Sequence, residues 1–516
     1  MRLVFVALIA LGLLAGTAGA GGKNPKKPRD ERQRMDLLYT NPNNATTSDL
    51  AFWGDHAFVG YYTGDTGSPA GTAPRGGVRI FDISNPAAPT LVKDVQCDAN
   101  QNDPIVWDRN GNGVADLLLV AVDRTMASPM CGAPRAAHDD PTGWEGVRVF
   151  ELSDDPANPF ATVNQVAAVY TDCGAHTITL WPGNADEGEL IVYVASYPLR
   201  PGPTCGQVNG PPAGNDPLHS KISVIEVPLA NPAASSVIAE PPIGYPDDPD
   251  NQIDWTERGL VGLEPAARAC HDIVVHVPEN MAGAACAEQG QVWDIDPDTG
   301  IPDTANPISV IDDEVTSGGT GNIPGAVDFF HSVMFNNSGT VLNTVDESFG
   351  TGCPPMTTYQ PRMWNPAGGT HKTGRMFFSD TETGDFFSEF QVGDVRPDPA
   401  PGAYCSAHMG MAVMDIRKDL LVNAWYTGGV DVINFTDPEK LKEIAWYDIA
   451  GPAAEGSDNW SAYPYVGPDI RGRNGIPVYA SDGVRAPALG RGFQVFRANV
   501  PEPNVTRGWL NPQTMD

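Results

Sequence analysis

Three observations make this chain an all-β protein, expected as a seven-bladed β-propeller with four-stranded blades. A strand–turn–strand phrase recurs along it. A second strand pair recurs ahead of each copy. After the N-terminal run, no long stretch keeps the i, i+3, i+4 apolar spacing of a helix. The 55 Gly and 48 Pro among 516 residues suit a chain with many turns, because Gly reaches positive φ and Pro pre-sets turn geometry.

The elements follow in chain order. Arg2, the apolar run Leu3–Leu14 and the small residues Ala18-Gly19-Ala20 read as a cleavable export signal over residues 1–20, with a run too short to span a bilayer. Residues 21–34 are expected as a flexible lead-in, 35–500 as the propeller and 501–516 as a loose tail. Met35-Asp-Leu-Leu-Tyr-Thr can supply the outer strand of the last blade. The recurring phrase is clearest at Gly77 (GVRIFDISNPAAP) and Gly146 (GVRVFELSDDP). Weaker copies begin at Lys221, Gln291, Gly429 and Gly492, and the segment from Arg375 fills the remaining slot. Each is a short alternating strand, a polar turn and often another strand. The strand pairs ahead of them open at Asp49, Asp103, His176, His271, His331, His408 and Ser461. Four strands repeated seven times is the pattern of a propeller, and the irregular spacing argues against a solenoid.

The phrase GVRIFDISNPAAPTLVKDV resembles the repeat of the LVIVD-repeat family of secreted propellers. SDLAFWGDHAFVG, ACHDIVVHVP and HSVMFNNSGTVLNTVDE resemble other segments of such proteins. The resemblance spans nearly all the chain after the signal. It implies a secreted propeller and no single activity.

In a propeller the first strand of each blade lines the central channel. The seven opening residues are therefore expected as one ring, with His176, His271, His331 and His408 on consecutive blades and Asp49, Asp103 and Ser461 completing it. Neutral imidazole with carboxylate suits iron, copper, zinc or manganese, and rigid strands hold such ligands apart without collapse. The arrangement resembles the four-His iron site of carotenoid-cleaving oxygenases and the selenium-binding and methanethiol oxidase propellers in architecture. The bland alternative is a polar channel lining bonded to water and backbone. His276 is read as a packing or surface residue; His56, His138, His219 and His371 are read as solvated. Asp272, Asp346 and Glu347 are read first as exposed strand-end carboxylates, with a supporting or acid/base role as the alternative.

All eight Cys lie beyond the signal, an even number that argues for disulfides in an exported chain. Cys97, Cys173, Cys270 and Cys405 precede first strands; Cys131, Cys205, Cys286 and Cys353 follow second strands, on the same face. The economical pairing is Cys97–Cys131, Cys173–Cys205, Cys270–Cys286 and Cys353–Cys405, though spacing leaves other connectivities open. Each bridge would contribute roughly 2–4 kcal/mol. Asp108, Asn110, Asn112 and Asp116, with Gly113 for the tight turn, match a short calcium loop; an ordinary Asn-Gly hairpin turn is the alternative. Asp294, Asp296 and Asp298 are a weaker echo, read as a plain turn.

With 64 acidic against 32 basic residues the chain carries a net charge of −32, which disfavours nucleic acid and anionic lipid as partners. Two functions remain. One is a secreted metal-dependent enzyme, an oxidoreductase, acting on a small-molecule substrate through the His ring. The other is a non-catalytic extracellular scaffold for protein or glycan partners. A monomer without a membrane span is expected in both.

Overall fold

The structure is a computed structural model. It describes residues 31–41, 45–62, 76–137, 140–196, 219–244, 269–287, 289–314, 321–325, 327–347, 360–361, 370–371, 374–395, 405–414, 417–449, 457–467, 475–482, 492–500 and 507–516. The expected export signal and His138 lie outside these residues. The fold is all-β and propeller-like, and the single turn Val392–Val395 is the one α-helix among the described residues. No helix among them is long and apolar enough to cross a membrane.

Strands packed on both faces read as continuous apolar runs. Leu117–Met126 is the clearest, and its first six residues are all buried. Thr90–Gln96, outermost in its sheet, keeps most of its side chains exposed or half-exposed. The first strands are Thr46–Trp53, Pro104–Trp107, Thr177–Trp181, Asp272–His276, Phe330–Phe335, Ser406–Val413 and Asn459–Pro464. Each contacts the next in chain order, and the seventh contacts the first, so they enclose a channel. Each starts an antiparallel four-strand meander. Six sheets of four or more strands result rather than seven separate ones. The sixth and seventh meanders join in one nine-stranded sheet through a parallel bridge, Met409 to Ser461. Met35–Thr40 pairs with Phe493–Ala498 and completes the seventh meander.

The tail is not loose where it is described. Trp509–Leu510 pairs with Phe52 and Trp53, and Thr514–Met515 runs parallel to Val275 and His276. Trp509 stacks on Trp53 with ring centroids 5.8 Å apart. Thr514 Oγ1 donates to the Leu180 carbonyl, Gln513 Nε2 to that of Gly410, and the Tyr465 hydroxyl to that of Gly508. Residues 507–516 therefore touch six of the seven first strands and fill the channel at the ends of those strands. The run carries no local signal for this, because its partners lie from 43 to more than 400 residues away.

The side-chain amide of Asn511 imitates a ladder partner: Oδ1 accepts from Val106 N–H at 2.8 Å and Nδ2 donates to Val106 C=O at 2.9 Å. Asn511→Ala leaves both buried backbone groups unpaired. It is expected to lower stability by about 2–4 kcal/mol, read as a fall in denaturation midpoint with unchanged m-value.

Cys97–Cys131 and Cys270–Cys286 form disulfides as the pairing expected. Cys173 and Cys405 are disulfide-bonded as well, while Cys205 and Cys353 lie outside the described residues. Such bridges belong to an oxidising, extracellular kind of environment.

Candidate metal centre

The expected single ring resolves into two tiers. Thr177 Oγ1 donates to the His271 carbonyl, Ser332 Oγ to that of His408 and Ser461 Oγ to that of Ser48. Equivalent residues thus place His176, His271, His331 and His408 level with Ser48, Asn102 and Trp460. Asp49, Asp103 and Ser461 belong one residue further along, with Asp272. Two backbone contacts mark that lower tier: Asp103 Oδ2 accepts from Ile178 N–H, and Asp272 Oδ2 from Val333 N–H. Pairing registers shift at the starts of four of the seven first strands, between Thr47 and Leu50, Phe330 and Ser332, Ala407 and Gly410, and Asn459 and Ala462, so counting from a strand start does not fix which residue faces the channel. A bulge there re-aims the side chain without leaving a mark in the hydrophobic pattern.

All four upper-tier histidines are buried. Ring centroids lie 4.3 Å apart for His176 and His271, 3.7 Å for His271 and His331, and 4.0 Å for His331 and His408. The Nε2 atoms of His176 and His271 are 2.7 Å apart. Burial pushes His408 down to about 3. Burial, joined by repulsion from neighbouring imidazoles, carries His271 and His331 well below the ordinary histidine value. Burial thus favours the neutral form of His271, His331 and His408, the state that ligates a metal.

Their tautomers are set from behind. His408 Nδ1 donates to the Trp460 carbonyl, so its Nε2 carries the lone pair. His176 Nδ1 lies 3.0 Å from Asp123 Oδ2, the carboxylate–histidine arrangement that orients metal ligands. Gln101 Nε2 approaches His176 Nε2 at 3.1 Å.

Glu347 completes the cluster. It is 7 % exposed, and Asp272 and Asp346 are fully buried, so the reading of these three as exposed carboxylates is overturned. Glu347 Oε2 lies 3.5 Å from His331 Nε2, and Oε1 lies 3.6 Å from His408 Nε2. Those gaps exceed a good hydrogen bond. Two ligand atoms at about 2.0–2.2 Å from a tetrahedral ion stand about 3.4 Å apart, so the donor set fits one. His331, Glu347 and His408 form a three-ligand group with all ligand atoms within 4.8 Å of one another. The signal for Glu347 was its place just beyond the strand paired with His331, since Phe330 opposes Asp346.

In the lower tier, burial raises Asp49 to about 6. Burial, together with repulsion from Asp49, lifts Asp103 and Asp272 well above the carboxylate range.

The other expected positions resolve differently. In the hairpin turn, Asp108 accepts from the N–H groups of Asn110, Gly111, Asn112 and Gly113. Asn110 Oδ1 accepts from Asn112 and Asn112 Oδ1 from Val114, while Asp116 pairs with Arg109. An ion seated there would share oxygens that the turn already holds. Asp296 caps its own turn through Asp298 and Thr299 N–H. His276 is buried against Phe335. His219 is buried and faces Asp172, not solvated, and His56 packs edge-on against Phe160. The Asp172–Cys173–His219 group offers no thiolate, because Cys173 is in a disulfide.

No family model matches the sequence, and no curated protein matches it. Among solved structures the chain is similar to Sqt1 of Saccharomyces cerevisiae, at 12 % identity over 90 % of this chain and 99 % of that one, with a TM-score of 0.44. A protein of Lactobacillus plantarum is similar at 12 % identity over the same shares, with a TM-score of 0.43. A candidate 6-phosphogluconolactonase of Bacteroides uniformis is similar at 10 % identity over 86 % of this chain and 94 % of that one, with a TM-score of 0.40.

Proposed function

We propose that the protein is an exported seven-bladed propeller holding a transition-metal ion at the mouth of its channel and acting as a metal-dependent oxidoreductase. The observation that carries this reading is the convergence of His331, His408 and Glu347, with His271 and His176 continuing the row. Two imidazoles and one carboxylate are the donor set of non-haem iron(II) sites, and zinc and manganese accept the same atoms. A metal with open positions would supply redox or Lewis-acid chemistry there. The chain's own part is to hold the ligands and to wall the site: Tyr426 and Trp460 pack against His408 at 4.5 and 5.0 Å, and Phe329 against His271 at 5.6 Å. The closed circuit of first strands and the repeat resemblance support the blade count, and the disulfides support export.

Metal analysis of protein purified without chelator tests the reading. About one equivalent of iron, manganese, copper or zinc is expected, lost in His331→Ala and His408→Ala and kept in His276→Ala. A folded, metal-free wild type that also takes up none of these ions on incubation would sink it and leave the scaffold reading.

A further inference from the structure

The Cys97–Cys131 disulfide has a buried cation beside one of its sulfurs. Arg148 is fully buried, and its Nη1 donates to Cys97 Sγ at 3.0 Å. Its other hydrogen bonds go to carbonyls: Nη1 donates to Asp98 C=O at 2.8 Å and Nε to Pro129 C=O at 2.9 Å. Nη2 is buried without a partner. The neighbouring carboxylate of Asp98 is taken by Arg135, whose Nη2 donates to Oδ1 at 2.7 Å and whose Nε donates to Oδ2. Two guanidinium groups thus stand beside one carboxylate, and the ion pair that forms is Arg135–Asp98. Burial pulls Arg148 down to about 10, so it is charged at neutral pH.

A buried cation without a paired anion is costly. In the disulfide its sulfur neighbour is neutral and a weak acceptor. A thiolate at the same place would be a full counter-ion. The contact therefore favours the reduced form, with Cys97 as the thiolate, and makes Cys97 the better leaving group in thiol–disulfide exchange. The burial of the two residues points the same way. Cys97 is 2 % exposed, whereas Cys131 is half-buried beside the exposed Met130, so an attacking thiolate meets Cys131 first. The loop that carries Cys131 does not depend on the bridge alone. Ala127 N–H donates to Pro134 C=O, Ala133 N–H to Met130 C=O, and Cys131 N–H to Gln165 Oε1. By contrast, Cys270 and Cys286 are both fully buried.

We propose that Cys97–Cys131 is a reactive disulfide that accepts two electrons from a dithiol in the protein's compartment. A thiolate of the dithiol attacks Cys131 Sγ, and a mixed disulfide forms as the Cys97–Cys131 bond breaks. The electron pair of that bond leaves on Cys97 Sγ, which stays as a thiolate against Arg148. The second thiol of the dithiol then gives up its proton and displaces Cys131, which takes that proton. The dithiol departs as its own disulfide. This site stands or falls independently of the ion proposed for the His tier.

The test uses the full native chain at neutral pH, with dithiothreitol as the dithiol. Alkylation and peptide mass spectrometry report each cysteine. Cys97 and Cys131 are expected to open together while Cys270 and Cys286 stay bridged. With the monothiol glutathione, the mixed disulfide is expected on Cys131. The ultraviolet thiolate absorbance of Cys97, read as the difference from Cys97→Ser, is expected to titrate below about pH 7.5, against about 8.5 for a free thiol. Arg148→Met keeps the length of the stem and removes the charge. It is expected to raise that midpoint by at least about one pH unit and to slow reduction by about 3- to 10-fold. Reduction of Cys97–Cys131 no faster than that of Cys270–Cys286, glutathione on Cys97, or an unchanged midpoint in Arg148→Met would each overturn the proposal. Should Arg148→Met fail to fold, the wild-type midpoint decides: below about 7.5 it sustains the proposal, and above that it overturns it.

Discussion

Glu347→Gln is expected to weaken retention of the transition metal by at least about 100-fold while leaving the fold intact. The glutamine keeps the shape of the side chain and one carbonyl oxygen but removes the anionic charge that faces His331 Nε2 and His408 Nε2 at 3.5 and 3.6 Å. Loss of a group that only orients a ligand typically costs 10–100-fold in affinity, and Glu347 is a ligand candidate itself. Asp123→Asn is the matched comparison. It reaches the row through His176 Nδ1, at 3.0 Å, and also accepts from Asn100 Nδ2 at 3.2 Å, so about 10-fold is expected. Competition against a chromophoric chelator reads both numbers. Equal, small effects for the two variants would mean that Glu347 is a structural acid and that the metal reading has the wrong ligands.

The seven strand–turn–strand phrases were legible because they are local. Val78 and Ile80 are buried on one face of the strand that their alternation announces. The four histidines were legible for the same reason: each lies within the first three residues of a first strand or just ahead of it. What the sequence could not carry was anything set by a one-residue shift or by a distant partner. Asp49 and Asp103 align with the histidines on paper, but the hydrogen bonds between neighbouring first strands place them one residue further along, with Asp272. Glu347 looks like any acid after a strand until the fold closes the fifth blade's hairpin against His408, whose strand comes some 60 residues later. Residues 507–516 look like a loop until the channel they fill exists. Local patterns specify blades; closure specifies the site.

The link between closure and site is sharpest at Asp346. Asp346→Ala is expected to cost about 3–5 kcal/mol and to loosen metal retention as a consequence. The Asp346 carboxylate is fully buried, with Oδ1 accepting from Asp328 N–H at 2.9 Å and Phe329 N–H at 3.2 Å, and Oδ2 from Gly374 N–H at 3.0 Å. Alanine would orphan three buried donors at once. The third donor cannot move aside. Gly374 has φ +68°, and a Cβ there would lie 2.8 Å from Ser406 Cα, so its backbone is fixed by close approach. The first two donors position the segment that makes the site. The Phe329 carbonyl accepts from Glu347 N–H at 3.0 Å, and the Phe329 ring lies 5.6 Å from His271 and 6.1 Å from His331. Asp346→Asn separates the two effects. Its single remaining oxygen can keep Asp328 and Phe329 while its amide opposes Gly374, so a loss of about 1–2 kcal/mol with near-normal metal content is expected. If Asp346→Asn instead loses metal as fully as Asp346→Ala while remaining folded, the carboxylate acts on the ion through its charge and not through the segment it pins.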